Sequence, residues 1–275
     1  MQISEESIIA HIDAHAANID DAIEQLSQAK PTSKREVADR RWQVYLLVLS
    51  GDALRGVAAL LRAKEYRCAV ILARSIFEYR IKAEYLLKNR KEAYRQFNLL
   101  PKKIYADLGR LPAPNVMDQA QLVNLYLEWR RTAGTLADET RRDIGAFQMA
   151  MAILEDQNTD SEGNAYSPEF VDKYGIPSWT VHADAAGIAE VLPGFKDDHD
   201  WSIRRGAIAF EHFSTVALEV LHTVYDHLRV VRIEFDLDFG PLQLLGLQSI
   251  AIREVVMREW RAIDGAQGAR PYTGL

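Results

Sequence analysis

Residues 68–87 read CAVILARSIFEYRIKAEYLL, and this stretch decides the fold. Wound at about 100° per residue, its apolar residues point to every side: Val70, Ile71, Leu72, Ile76, Phe77, Tyr79, Ile81, Leu86 and Leu87. A helix that is apolar all round is one that other elements surround. Arg74 and Glu78 stand inside it at i,i+4 spacing, between Val70, Ile71 and Ile81. A charge carried into such a helix needs a partner, because an unpaired buried ion is strongly destabilising. The stretch therefore predicts a central helix over 66–88 with a charged pair in its wall.

Working outward, residues 4–30 carry an apolar stripe of Ile8, Ile12, Ile19, Ile23 and Leu26, with Ser4 and Ser7 as capping oxygens. Pro31-Thr32-Ser33 breaks that helix, and a second follows over 33–63. It opens on the charged run KREVADRR and continues as WQVYLLVL. Gly51 and Gly56 interrupt it, each at about 1 kcal/mol relative to Ala, so another helix approaches closely there or the helix bends. The tight turn at Lys64-Glu65 makes the second helix and the central one antiparallel neighbours. Beyond the centre, helical spacing returns over 101–110, 117–131, 136–154, 201–231 and 242–262. DQNTDSEGNAYSPEF (156–170) reads as a loop, on the surface or as a mobile segment, and a polar loop covers 194–200. IEFDLDFGPL (233–242) reads as extended or irregular, and 263–275 as a loose tail. No repeat and no series of strands interrupts this pattern. The fold expected is all-α, a single domain over 1–275 built as an irregular bundle of about eight helices.

Composition narrows the function. The chain has 275 residues and 48% hydrophobic content, enough for a substantial core. Its formal net charge of −6 gives no overall basic field for nucleic acid or an anionic membrane. The single cysteine, Cys68, forms no intrachain disulfide, which fits a reducing compartment. The start, MQISEESIIAHIDAH, lacks the continuous apolar region of a secretory signal. VYLLVL ends at Ser50, well short of the roughly 20 apolar residues that span a bilayer. A cytoplasmic protein is expected, with no membrane partner and no cofactor; a homo-oligomer is compatible with this composition, and no other partner is indicated.

Several residue groups carry chemistry. Arg74 and Glu78, with Asp52 brought from the preceding apolar helix, form either a structural salt-bridge network or a polar pocket for an anionic or polar ligand. Tyr174, Ser178 and His182 recur at i,i+4 spacing, but Gly-Ile-Pro-Ser-Trp is not a nucleophile elbow, so Ser178 reads as a helix cap and His182 as a hydrogen-bonded side chain. On the helix over 201–231, Arg205, His212, Glu219, His222 and Asp226 share one face, opposite Phe210, Phe213, Val216, Val220, Leu221 and Val224. That polar face reads first as solvated. Glu219-Val-Leu-His222 is a Glu-x-x-His pair, yet a di-metal bundle needs a second such pair and two more Glu. Arg205 and His212 fit the loose Arg-x4–6-His spacing of helical ribonucleases of the HEPN type, a metal-independent alternative in which RNA is the partner. His11 and His15 could share a metal but read as a surface pair, and no Walker A loop or zinc-spaced set is present.

With Arg74-Ser75-x-x-Glu78 in an apolar helix and Tyr174-x-x-x-Ser178-x-x-x-His182 in view, the chain resembles a bacterial family of helical proteins classed only as a domain of unknown function. The resemblance covers about residues 35–230 and implies an all-helical domain, with those same Arg, Glu, Ser and His side chains singled out. Ala183 stands where a glycine is expected. The function expected is a helical domain that senses a ligand through its polar cluster, in a stress or defence setting, with the ribonuclease as the alternative.

Overall fold

The computed structural model describes residues 5–99, 124, 127, 145–175 and 206–238. Seven α-helices lie in this part: α1 (Glu5–Gln28), α2 (Lys34–Arg62), α3 (Tyr66–Lys88), α4 (Arg90–Leu99), α5 (Ala146–Ile153), the single turn α6 (Pro168–Phe170) and α7 (Gly206–Phe235). The only strands among the described residues are β1 (Asn158–Thr159) and β2 (Ala165–Tyr166), an antiparallel pair. The fold is all-α. The helices read at 101–110, 117–131 and 242–262, the loop at 194–200 and the tail at 263–275 lie outside the described residues, apart from positions 124 and 127.

Local chemistry sets the boundaries of the first three helices. Ser33 caps α2, its Oγ accepting from the Glu36 amide at 3.1 Å, while the Glu36 carboxylate accepts from the Thr32 amide at 2.7 Å. Lys64 adopts φ 60°, in the left-handed region, which lets a three-residue connection, Ala63 to Glu65, reverse the chain into α3. Gly51 and Gly56 mark close approaches. A Cβ on Gly51 would meet Ile19 of α1 at 3.3 Å, and one on Gly56 would meet Leu72 of α3 at 2.7 Å.

α3 belongs to two cores. Its first half contributes Ala69, Val70, Ala73 and Ile76 to a core shared with α1, α2 and α7. Its second half contributes Phe77, Ile81, Ala83, Tyr85 and Leu86 to a core shared with α4, α5 and Phe170 of α6. Two polar tethers reinforce the arrangement: Trp42 Nε1 donates to the Ala93 carbonyl at 3.0 Å, and Gln25 exchanges two hydrogen bonds with the Asp238 backbone, at 2.8 and 3.0 Å. α2 is long and apolar enough to cross a membrane by length and composition alone. Here it packs between α1 and α3, burying Leu46, Leu47, Leu54, Val57 and Leu61.

Four expectations need correction. α3 is not enclosed on every side, since Cys68 is exposed and Ile71 is 38% exposed. The polar run at 156–170 lies on the surface over 156–166 as read, but it is not without secondary structure: it holds a two-residue-strand hairpin, in which Asp160 accepts from the amides of Glu162 and Asn164, and ends in a helical turn. Residues 233–235 continue α7, which stops at Asp236 with φ 51°. His15 is no surface residue: it is fully buried and its Nδ1 lies 2.9 Å from the His11 carbonyl.

Gly56 supplies a direct check of the α2–α3 packing. We expect Gly56→Val to lower stability in urea unfolding by about 1–3 kcal/mol, the range for overpacking a filled core. Leu72→Ala in the same chain should recover part of that loss. A Gly56→Val midpoint equal to wild type would contradict the close approach.

Candidate functional site

At the junction of its two cores α3 carries Arg80, whose side chain is only 8% exposed. Three carboxylates from three elements surround the guanidinium. Nε donates to Glu84, one turn on, at 2.7 Å; Nη1 donates to Glu169 of α6; Nη2 lies 3.6 Å from Asp226 of α7. Burial alone would lower the Arg80 pKa, but Glu84, Glu169 and Asp226 together raise it above the ordinary arginine range. Glu169 answers in the opposite sense. Its own burial raises its pKa, and Arg80 and Lys173 outweigh that and hold it below the usual carboxylate range.

Local structure delivers these groups. Ser167 caps α6, its Oγ accepting from the Phe170 amide at 3.1 Å and donating to Asp156 at 2.6 Å. The second Asp156 oxygen accepts from the Glu169 amide at 2.7 Å, so the residues on either side of the hairpin are fastened together. α6 runs into a π-helical turn, Val171–Gly175, whose wider winding presents Lys173 and Tyr174. Phe170 stacks on Tyr174 with ring centroids 4.7 Å apart and packs near Phe77 of α3 at 6.3 Å.

The π-helical turn extends the network. Lys173 Nζ donates to Glu169 at 2.9 Å and lies 2.9 Å from His222 Nδ1. His222 Nε2 is 3.3 Å from Asp226. An ammonium on one ring nitrogen and a carboxylate on the other define a neutral imidazole, with the proton on Nε2. Partial burial and the Lys173 charge hold its pKa below the ordinary histidine value, against Asp226 and Glu169. The ring's outer side stays open, at 57% exposure. His227, one turn from Thr223 and fully enclosed, has its pKa lowered to about 3 by burial and by Arg80.

Beside this network lies a second cation. Arg74 stacks on Tyr174, its guanidinium carbon 4.2 Å from the ring centroid, and Nη2 donates to the Tyr174 hydroxyl at 2.7 Å. Glu78 approaches to 3.7 Å, an ion pair without a hydrogen bond, and is 35% exposed. Arg74 Nε is buried and has no hydrogen-bond partner among the described residues.

The structure thus brings Arg74, Glu78 and Tyr174 together from distant parts of the chain. It does not bring Asp52 to them: Asp52 is 72% exposed and lies 3.6 Å from Arg55 on the outer side of α2. The antiparallel hairpin places Asp52 beside a surface arginine, because its position on α2 turns away from α3. Ser178, His182 and Arg205 lie outside the described residues; His212 is on α7, and its side chain and that of Glu219 lie outside them too. The polar face of α7 is not simply solvated, since Asp226 is 13% exposed and turned to Arg80. The Lys173 ammonium engages Nδ1 of His222, the histidine of the Glu-x-x-His pair. Sequence reasoning passed over Arg80, Glu84, Glu169, Lys173 and His227. The signal for the first two was present, as another Arg-Glu pair at i,i+4 within the same apolar stretch.

No protein-family model, curated protein or solved structure matches this chain.

Two buried histidines make stability depend on acidity. His15 is held to about 4, mainly by burial, and His227 to about 3. Both are neutral in the fold, whereas the unfolded chain protonates them near 6.5. Stability is therefore complete above that value and is lost as pH falls through it, by about 1.4 kcal/mol per pH unit for each histidine. We expect the unfolding free energy to fall steeply between pH 6 and pH 4.5, and His227→Gln to flatten that slope. A slope identical in wild type and variant would refute the assignment of a neutral buried His227.

Proposed function

We propose that this helical domain binds rather than transforms its ligand, and that the ligand presents a small anionic group to Arg74 beside Tyr174. The observation that carries the reading is the Nε of Arg74, a buried donor with no hydrogen-bond partner among the described residues, on a cation whose nearest carboxylate among them stands off at 3.7 Å. A buried charged donor left without an acceptor is costly, so an anion that completes it binds with gain. Arginine presents that edge as a planar fork suited to carboxylate or phosphate. Stacking on Tyr174 fixes the plane of the fork before a ligand arrives, which lowers the ordering cost of binding. Glu78 then serves as a resident anion that an incoming one displaces towards solvent.

The neighbouring network supports binding over proton transfer. His222 has both ring nitrogens engaged, by Lys173 and by Asp226. A general base needs a free lone pair within reach of a substrate proton. A sensing role is supported by the position of Tyr174, which belongs to the π-helical turn that also carries Lys173 into the core. An anion that pulls on Arg74 therefore acts on the turn joined to α3 and α7.

Thermal shift measurements with phosphate and succinate as probe anions test this. Wild type should gain melting temperature with either probe, Arg74→Met should lose that gain, and Glu78→Gln should bind more tightly because its competing charge is gone. Equal shifts in wild type and Arg74→Met would overturn the reading.

A further inference from the structure

A cleft of about 490 Å³ opens away from this network, between the first turns of α2, the start of α4 and the end of α7. Its charges divide into those already matched and those left over. Glu36 is held by the Thr32 amide and hydroxyl and by Arg40, and Arg90 pairs with Glu234. Arg35 and Lys91, of the lining, make no ion pair among the described residues.

Two further groups are buried and incomplete. Asp39 is 2% exposed; one carboxylate oxygen takes Arg90 Nη1 at 3.3 Å, while Oδ1 has no hydrogen-bond partner among the described residues. Arg40 lies over the Phe235 ring at 5.1 Å and donates from Nε to Glu36 at 2.9 Å, and its Nη1 is likewise buried without a partner. These residues are adjacent in sequence and both line the cleft. An acceptor carrying negative charge and a donor carrying positive charge, each without a partner among the described residues, thus belong to two residues that line one cavity.

We infer that this cleft is a second binding site, for a small zwitterion of the α-amino acid class, with its ammonium on Asp39 and its carboxylate on Arg40. The ammonium supplies the donor that Asp39 Oδ1 lacks. The carboxylate accepts from Arg40 Nη1 and faces the positive charges of Arg35 and Lys91 at the lining. A plain anion leaves Asp39 unpartnered, and a plain amine leaves Arg40 so; only a ligand with both groups completes the site. A quaternary ammonium has no N–H for Asp39 and is excluded on the same ground. Phe235 offers an apolar face to the ligand's side chain. Asp39 also gains from such a ligand electrostatically: burial raises its pKa against the pull of Arg90, and a second cation brings it back towards the ionised form.

Isothermal titration calorimetry on the full chain tests the inference. The probes are the standard α-amino acids, with isoamylamine and isocaproate as the two halves of leucine and glycine betaine as the donor-free zwitterion. At least one amino acid should bind, and its single-charge analogues and the betaine should be weaker by about tenfold or more, the loss expected for one charge-assisted hydrogen bond. Asp39→Asn should weaken it similarly, and Lys91→Gln, a change at the lining that leaves the buried pair intact, should weaken it with no change in melting temperature. Arg74→Met should bind as wild type does, which separates this site from the anion site. No heat with any amino acid, or equal affinity in wild type and Asp39→Asn, would overturn the inference. So would a betaine that binds as well as the amino acids.

Discussion

A guanidinium at the centre of a helical bundle has to be matched or the bundle does not hold. Arg80 meets this constraint with carboxylates from its own helix, from α6 and from α7. Two buried cations, Arg80 and Lys173, face Glu84, Glu169 and Asp226, and Arg229 at 3.8 Å from Asp226 brings the set to neutrality. Removing one partner of such a group costs about 3–5 kcal/mol, whereas an apolar replacement of the whole group could be neutral. The network therefore specifies which elements meet more than it adds to stability. Its geometry docks α6 and the π-helical turn where Glu169 reaches α3 and Lys173 reaches α7.

That docking sets the functional possibilities. Tyr174 follows Lys173 directly, so fixing Lys173 in the core places the Tyr174 ring against Arg74. The two cations of α3 then have different fates on one helix. Arg80 has a carboxylate at each of its three nitrogens, and Arg74 retains a donor with no partner among the described residues. The contrast between a completed and an incomplete arginine is what sets the proposed binding site apart from the scaffold, and the same contrast marks Asp39 and Arg40 at the cleft beyond α2.

Much of this was legible where the signal is local. Pro31 and Ser33, the Lys64-Glu65 turn and the all-round apolarity of 68–87 locate α1, α2 and α3 closely, because caps and turns act within a few residues. Arg74 and Glu78 were legible as charges in an apolar context, and Tyr174 through its i,i+4 spacing with Ser178 and His182. Arg80 was not, although Arg80-Glu84 repeats the same spacing. Which of two such pairs is central depends on where the two cores join along α3, and that is set by α5, α6 and α7. Asp52 failed for the same reason: hairpin topology places residues near one another without deciding which side of the helix they occupy. Asp39 sits in KREVADRR, a run whose charges look uniformly solvated until α4 and α7 close over part of it. The helix over 233–235 continued because Asp236 accepts a left-handed conformation at the stop, a choice that no hydropathy pattern reports.

The most direct test of this account is hydrogen exchange in Arg80→Met followed segment by segment. If the Arg80 network is what holds the π-helical turn to the bundle, amides of residues 168–175 and of α7 around residues 222–226 should lose protection in the variant. Those of α1 and of α2 around Gly51 should keep theirs. Protection lost evenly along the whole chain, or retained at 168–175, would contradict the claim that this one arginine organises the junction.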